Sequence, residues 1–311
     1  MDELLSKHLV LVTGKGGVGK STCGLAFAAA AAQRGKRILF CDLAARPATP
    51  VLLGTSPLTD SPAKPLPRAY PNLWAVHLSA ESAARDYFTE SLPHRKLVDI
   101  ATNNKVLARL WKAAPSFNEF VLLNAVVHLS QGTHPRIKDQ FDLVVVDLPA
   151  SGHAVTMLGV PFGITRIAKF GAIASRGKEL AEVLSDPRRT AVCIVTLPEE
   201  LPVNESIQLV ERLKKEVGLA SSHVVINNIA PERITPGDAG LLDRLLIELD
   251  EGDAKNLVRL GTANARLQAR QAGRISELKD ALGMTFLEVG AFTEEGVPLI
   301  DSVASALEAA R

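Results

Sequence analysis

The stretch that most constrains this chain is Gly14-Lys15-Gly16-Gly17-Val18-Gly19-Lys20-Ser21-Thr22. It follows a short apolar segment, Leu9-Val10-Leu11-Val12, and opens into an alanine-rich run with helical spacing. Strand, glycine loop and helix in that order make a phosphate cradle. The glycines let backbone N–H groups converge, and the helix adds the positive end of its dipole. In such a cradle Lys20 reaches the β- and γ-phosphates and Ser21 offers its hydroxyl to magnesium. The pattern G-x-x-x-x-G-K-[ST] arises by chance in only about one chain in a hundred of this length. A plain flexible turn is the weaker reading, and the expected ligands are a nucleoside triphosphate and Mg2+.

At 311 residues, 47% of them apolar, the chain can bury one large α/β core or two ordinary ones. Its 35 basic and 34 acidic residues nearly cancel, so no global charge points to nucleic acid or anionic lipid. Cys23, Cys41 and Cys193 lie far apart in apolar runs without a C-x-x-C pair, which predicts buried inert thiols and a reducing compartment. The N-terminus enters a strand almost at once, with no signal-peptide layout. No apolar run approaches the ~20 residues of a membrane span. These features predict a cytoplasmic protein with no nucleic-acid partner and no transmembrane segment.

Short apolar runs mark strands at 9–12, 38–41, 73–78, 141–147, 191–196, 223–227 and 284–289. Seven of the eighteen prolines fall between Pro47 and Pro71, which predicts loop, since proline lacks the N–H that helices and ladders need. Apolar spacing of three and four predicts helix over 81–131, with Leu107, Leu110 and Trp111 on one stripe and a break at Pro115. Further helix is expected at 20–34, 154–184, 238–282 and 298–310, and at 204–217 with Asn204 as its cap. Strands separated by helices predict an α/β fold with a doubly wound, mostly parallel sheet. Residues 1–311 form one domain in this reading, with a helical subdomain inserted at about 81–135 and 154–186.

Four further positions carry chemistry. Lys15, a long cation at the second position of the loop, is poorly placed to curl onto its own phosphates. It is better placed to neutralise charge on a nucleotide held by a facing subunit, the alternative being a solvated lysine. Asp147 ends an apolar strand, where a carboxylate holds magnesium through water. Gly152 follows closely, and its backbone N–H can approach a γ-phosphate. Asp42 ends the strand after the loop's helix, either to align the attacking water or simply to terminate the strand.

Gly14 to Thr22, then Asp42, then Asp147-Leu148-Pro149-Ala150-Ser151-Gly152-His153 resemble the deviant-Walker ATPases of the ArsA family. That family includes the arsenite-efflux ATPase and the ATPase that delivers tail-anchored membrane proteins. The likeness continues through Thr196-Leu197-Pro198-Glu199-Glu200-Leu201-Pro202-Val203-Asn204-Glu205 and Val225-Ile226-Asn227-Asn228. The resemblance implies a P-loop NTPase fold and a magnesium-dependent ATPase. It implies that Lys15 acts across a dimer, Thr22 contacts the α-phosphate, Asp42 activates water and Asn227 binds adenine. It also implies cytosolic action as a homodimer, or as a heterodimer with a paralogous chain, because no second phosphate loop follows.

The chain departs from the family pattern in two respects. The family's Asp-Pro-Ala-His-Asn segment is here Asp42-Leu43-Ala44-Ala45-Arg46, which leaves the closing of that switch open. The three scattered cysteines supply neither converging thiolates for arsenite nor paired ligands for an intersubunit zinc. The apolar stretches 107–127 and 157–173 read either as a groove for an apolar helix or lipid-like cargo or as the core of the subdomain. A positioning ATPase of the ParA/MinD kind and a weakly hydrolysing half of a heterodimer are the competing functions. The tail Asp301 to Arg311 lacks the basic amphipathic face that a MinD-type membrane anchor needs.

Overall fold

The computed structural model describes residues 1–311 apart from 45, 63, 65–67, 93–115, 233 and 311. In chain order the elements are α1 (Asp2–Leu5), β1 (Leu9–Gly14), α2 (Lys20–Gln33), β2 (Ile38–Asp42), α3 (Thr49–Leu53), β3 (Leu73–His77) and α4 (Ala80–Ser91). Then come α5 (Phe117–Gln131), β4 (Leu143–Asp147), α6 (Ser151–Ile167), α7 (Ala172–Ser185), β5 (Thr190–Thr196) and α8 (Glu200–Arg212). A π turn (Leu213–Val217), β6 (His223–Ile229), α9 (Pro236–Glu248), α10 (Asp253–Ala281), β7 (Thr285–Gly290) and α11 (Gly296–Ala309) complete them.

The seven strands form one parallel sheet in the order β3-β2-β4-β1-β5-β6-β7. Alternate residues of each strand point to opposite faces, and both faces are covered. Leu9, Leu11, Leu39, Cys41, Val144 and Val146 pack with α4 to α8 in one continuous core. Val10, Val12, Ile38, Phe40, Leu143 and Val145 pack with α2 and α11 in the other. Double burial explains why the central strands are apolar at almost every position instead of alternating. It explains the alanines of α2 as well, because that helix is buried on nearly all sides. The three thiols are buried, and burial pushes Cys193 up to about 12.

Four expectations change. Helix α8 begins at Glu200 rather than Asn204, with Glu199 at its cap, because Pro202 falls in the first turn, where no N–H is required. The stretch 154–184 is two helices, separated by a turn in which Gly171 has φ +97°. The proline-rich stretch includes the short helix α3, stopped by Gly54. The stretch 238–282 is likewise two helices, α9 and α10, while of the helix expected over 81–131 the described parts are α4 and α5, and Leu107, Leu110, Trp111 and the break at Pro115 lie outside the described residues.

Candidate nucleotide site

Strand register brings the chemistry together at the C-terminal edge of the sheet. Asp42 is aligned with Asp147 across β2 and β4, and Val12 with Asp147 across β1 and β4. The glycine loop leaves this edge between β1 and α2, next to the point where successive strands change direction across the sheet. Gly14 lies so close to β5 that a Cβ there would overlap the Val195 carbonyl oxygen, with the carbonyl carbon only 3.2 Å away. Gly19 has φ +88° and lies against the Asn227 amide, whose Nδ2 donates to the Val18 carbonyl at 3.0 Å. Asn227 thus braces the loop from β6. The Val18 side chain is buried in the core, so only its backbone faces the cradle.

Within the loop, the Lys20 ammonium donates to the Lys15 carbonyl at 3.0 Å. Burial lowers its pKa below the ordinary lysine range, and nearby Asp147 offsets part of that effect. A partly desolvated cation beside exposed Gly16 and Gly17 is suited to an anion of high charge. Ser21 and Thr22 follow in the first turn of α2, both partly exposed. The Ser21 hydroxyl donates to Asp147 Oδ2, whereas Asp147 Oδ1 is buried without any hydrogen-bond partner. Burial pushes the Asp147 carboxyl up to about 6, and Asp42 adds to this while Ser21 and Lys20 oppose it. An unsatisfied buried carboxylate oxygen next to a hydroxyl is a donor set that fits a hard divalent cation.

Asp42 is fully buried, and its carboxylate accepts from Ala44 N at 3.0 Å, Ala48 N at 3.1 Å and Thr49 Oγ1 at 3.2 Å. It therefore closes its own loop in this state. Gly152 lies in the first turn of α6 rather than in a free loop, where backbone N–H groups have no intrahelical acceptor. His153, in the same turn, pairs with Glu119 at 3.4 Å. Lys15 is paired with α8, its Nζ 2.6 Å from Glu205 Oε1.

The family model described as anion-transporting ATPase, ArsA_ATPase, matches residues 7–170 and 162–239. The chain belongs to the ArsA family. It is an ATP hydrolase of that family, and nucleotide binding follows from the activity. ATPase BagA of Mycobacterium tuberculosis is 27% identical over 285 residues, covering 87% of this chain and 78% of the relative. The arsenical pump-driving ATPase of Acidiphilium multivorum is 27% identical over 246 residues, 73% of this chain and 40% of the other. The ATPase ASNA1 homolog of Cryptosporidium parvum is 23% identical over 265 residues, 71% of this chain and 64% of that one.

Three residues of this ArsA-family site escape sequence reasoning. Thr49, hidden in the proline-rich stretch, supplies a hydroxyl to Asp42. Gln271, buried on the long helix α10, accepts from Ala230 N at 2.8 Å and so fixes the backbone just beyond Asn227. Glu205 pairs with Lys15 across 190 positions of sequence, and no local pattern signals it. Among the described residues no group of three or more His, Cys, Asp or Glu side chains is placed to hold a metal ion.

Proposed function

We propose that this ATPase is a magnesium-dependent, nucleotide-driven dimeric switch that captures and releases an apolar cargo. The observation that carries the reading is Lys15: it stands in the phosphate loop, yet its ammonium is paired with Glu205 on α8 at 2.6 Å. In the proposal it serves the nucleotide of a second chain, identical or paralogous. The loop N–H groups and Lys20 hold the β- and γ-phosphates, and Thr22 contacts the α-phosphate. Asn227 reads the adenine, and the Gly152 N–H approaches the γ-phosphate. Ser21 and, through water, Asp147 hold Mg2+. When bound, that ion offsets the negative charge of the β- and γ-oxygens. Asp42 orients the attacking water and takes its proton, for which it must release at least one of its three present donors.

Single-turnover hydrolysis and light scattering test these roles together. Wild type with ATP and magnesium should gain mass. Lys15→Ala should bind ATP but lose that gain and hydrolyse about a hundred-fold or more slowly. Asp42→Asn should keep the gain and hydrolyse at least about a hundred-fold more slowly. Equal rates in Asp42→Asn and wild type would remove Asp42 from the chemistry. Normal turnover of Lys15→Ala at every protein concentration would remove the dimer.

The cargo part of the proposal is supported by an open groove of about 430 Å³ on α6, lined by Thr156, Gly159, Val160, Gly163, Ile164 and Ile173. Ile167, which lines it, is 86% exposed, and Phe170, three residues further on, is 93% exposed. Among the described residues no helix is long and apolar enough to cross a membrane, so these side chains do not form part of a span. Hydrogen exchange across 157–173 should slow in the ATP-trapped Asp42→Asn protein when an apolar helical peptide is added. Exchange unaltered by the peptide would count against the cargo.

A further inference from the structure

Lys15 is held at both ends. Its carbonyl accepts from the Lys20 ammonium at 3.0 Å, and its own ammonium lies 2.6 Å from Glu205 Oε1. Glu205 rides on α8, which is anchored in the core through Val203, Ser206 and Leu209, so the carboxylate is presented from a rigid support. Among the described residues no other carboxylate lies within 4 Å of the Lys15 ammonium. The pair is partly open to solvent, with the side chains 30% and 39% exposed. It is therefore a contact of modest strength that other charges can displace.

An ammonium in contact with Glu205 already has a counter-charge, so it is less able to neutralise a phosphate on another molecule until it leaves that carboxylate. A triphosphate in the cradle competes for Lys20, and once Lys20 turns to phosphate the Lys15 carbonyl loses its donor. Of the two contacts that hold Lys15, the Glu205 pair then remains. We propose that Glu205 is a latch on Lys15, a positioning residue that retains the lysine within its own chain until a triphosphate draws Lys20 off the Lys15 carbonyl. Loading is thereby placed before dimer formation, and an empty or half-loaded pair is disfavoured. The inference rests on the trans role of Lys15 given above and adds the group that opposes it.

An ion pair of this exposure is worth about two- to five-fold in an equilibrium constant. A homodimer releases two such pairs, so Glu205→Gln should lower the protein concentration at half-dimerisation by about four- to twenty-five-fold. The experiment is mass by light scattering against protein concentration, with a non-hydrolysable ATP analogue and magnesium in excess. It is run on wild type, Glu205→Gln, Glu205→Asp, Lys15→Ala and the Lys15→Ala/Glu205→Gln double variant. The midpoint should fall in Glu205→Gln and lie between the two in Glu205→Asp, and the Lys15→Ala/Glu205→Gln double variant should be no more dimeric than Lys15→Ala. A role for Glu205 in α8 packing alone would not depend on Lys15 in this way. A Glu205→Gln midpoint equal to or above that of wild type overturns the latch, even if wild type dimerises and Lys15→Ala does not. Dimerisation of Lys15→Ala like wild type, or no dimer of wild type at any concentration, overturns the trans reading and the latch with it.

Discussion

Gly14→Ala should be the most damaging single-methyl change in the phosphate loop, lowering stability by about 3 kcal/mol or more and leaving little folded protein. The reason lies in the sheet rather than in the ligand. Gly14 ends β1 at φ +149°, paired with Val195 of β5, and the added Cβ would overlap the Val195 carbonyl oxygen. That obstacle is backbone of a central strand, which cannot rotate aside as a side chain can. Moving it would disturb β5, which is bonded to β1 on one side and β6 on the other. Gly16→Ala is the control, since a Cβ there meets nothing within 4 Å. It should change stability by no more than about 0.5 kcal/mol. Urea unfolding of the two variants decides the matter, and a Gly14→Ala protein as stable as Gly16→Ala would contradict the packing argument.

Gly14 also illustrates what can be read from residues alone. The glycine pattern announces a phosphate loop because every participant is local: strand, turn and helix follow one another within 25 residues, from Leu9 to Gln33. The parallel sheet is legible for a similar reason. Strands covered on both faces have to be continuously apolar, and Leu143-Val144-Val145-Val146 and Ile38-Leu39-Phe40-Cys41 are so. What escapes depends on contacts between distant elements. Helix signals mislead at Asn204, a good cap by type, because Pro202 two residues earlier is equally at home in a first turn. Nothing near Asp42 predicts that Thr49 and two backbone amides will take up its carboxylate. Nothing near Lys15 predicts Glu205. Polar pairings of this kind depend on a few ångströms of tertiary placement, whereas apolar periodicity reports the burial of an entire face.

Asp147→Asn should stabilise the nucleotide- and metal-free protein at pH 8 while abolishing its chemistry. Burial pushes the Asp147 carboxyl from 3.8 up to about 6, so the folded state binds its proton more tightly than the unfolded state does. For a group shifted in this direction the stabilisation is fully present below the unfolded value, near pH 4, and is lost as pH rises through about 6. Above that, the folded protein carries a buried charge whose Oδ1 has no hydrogen-bond donor. Two pH units correspond to about 3 kcal/mol. An asparagine leaves its own amide hydrogens to satisfy, so a net gain of about 2 kcal/mol at pH 8 is the expected result, shrinking towards zero near pH 4.5. Urea unfolding of wild type and variant at the two pH values measures it. Hydrolysis with magnesium should fall by about a hundred-fold or more, because the proposed cation loses the negative charge that the folded chain keeps unpaired for it. A variant less stable than wild type at pH 8 would mean that the carboxylate is satisfied in the empty protein. Magnesium-dependent turnover close to wild type would mean that the cation is held elsewhere. The cost of the unpaired oxygen and the proposed function then share one physical origin: in the proposal, the Asp147 Oδ1 stays unsatisfied until a cation arrives.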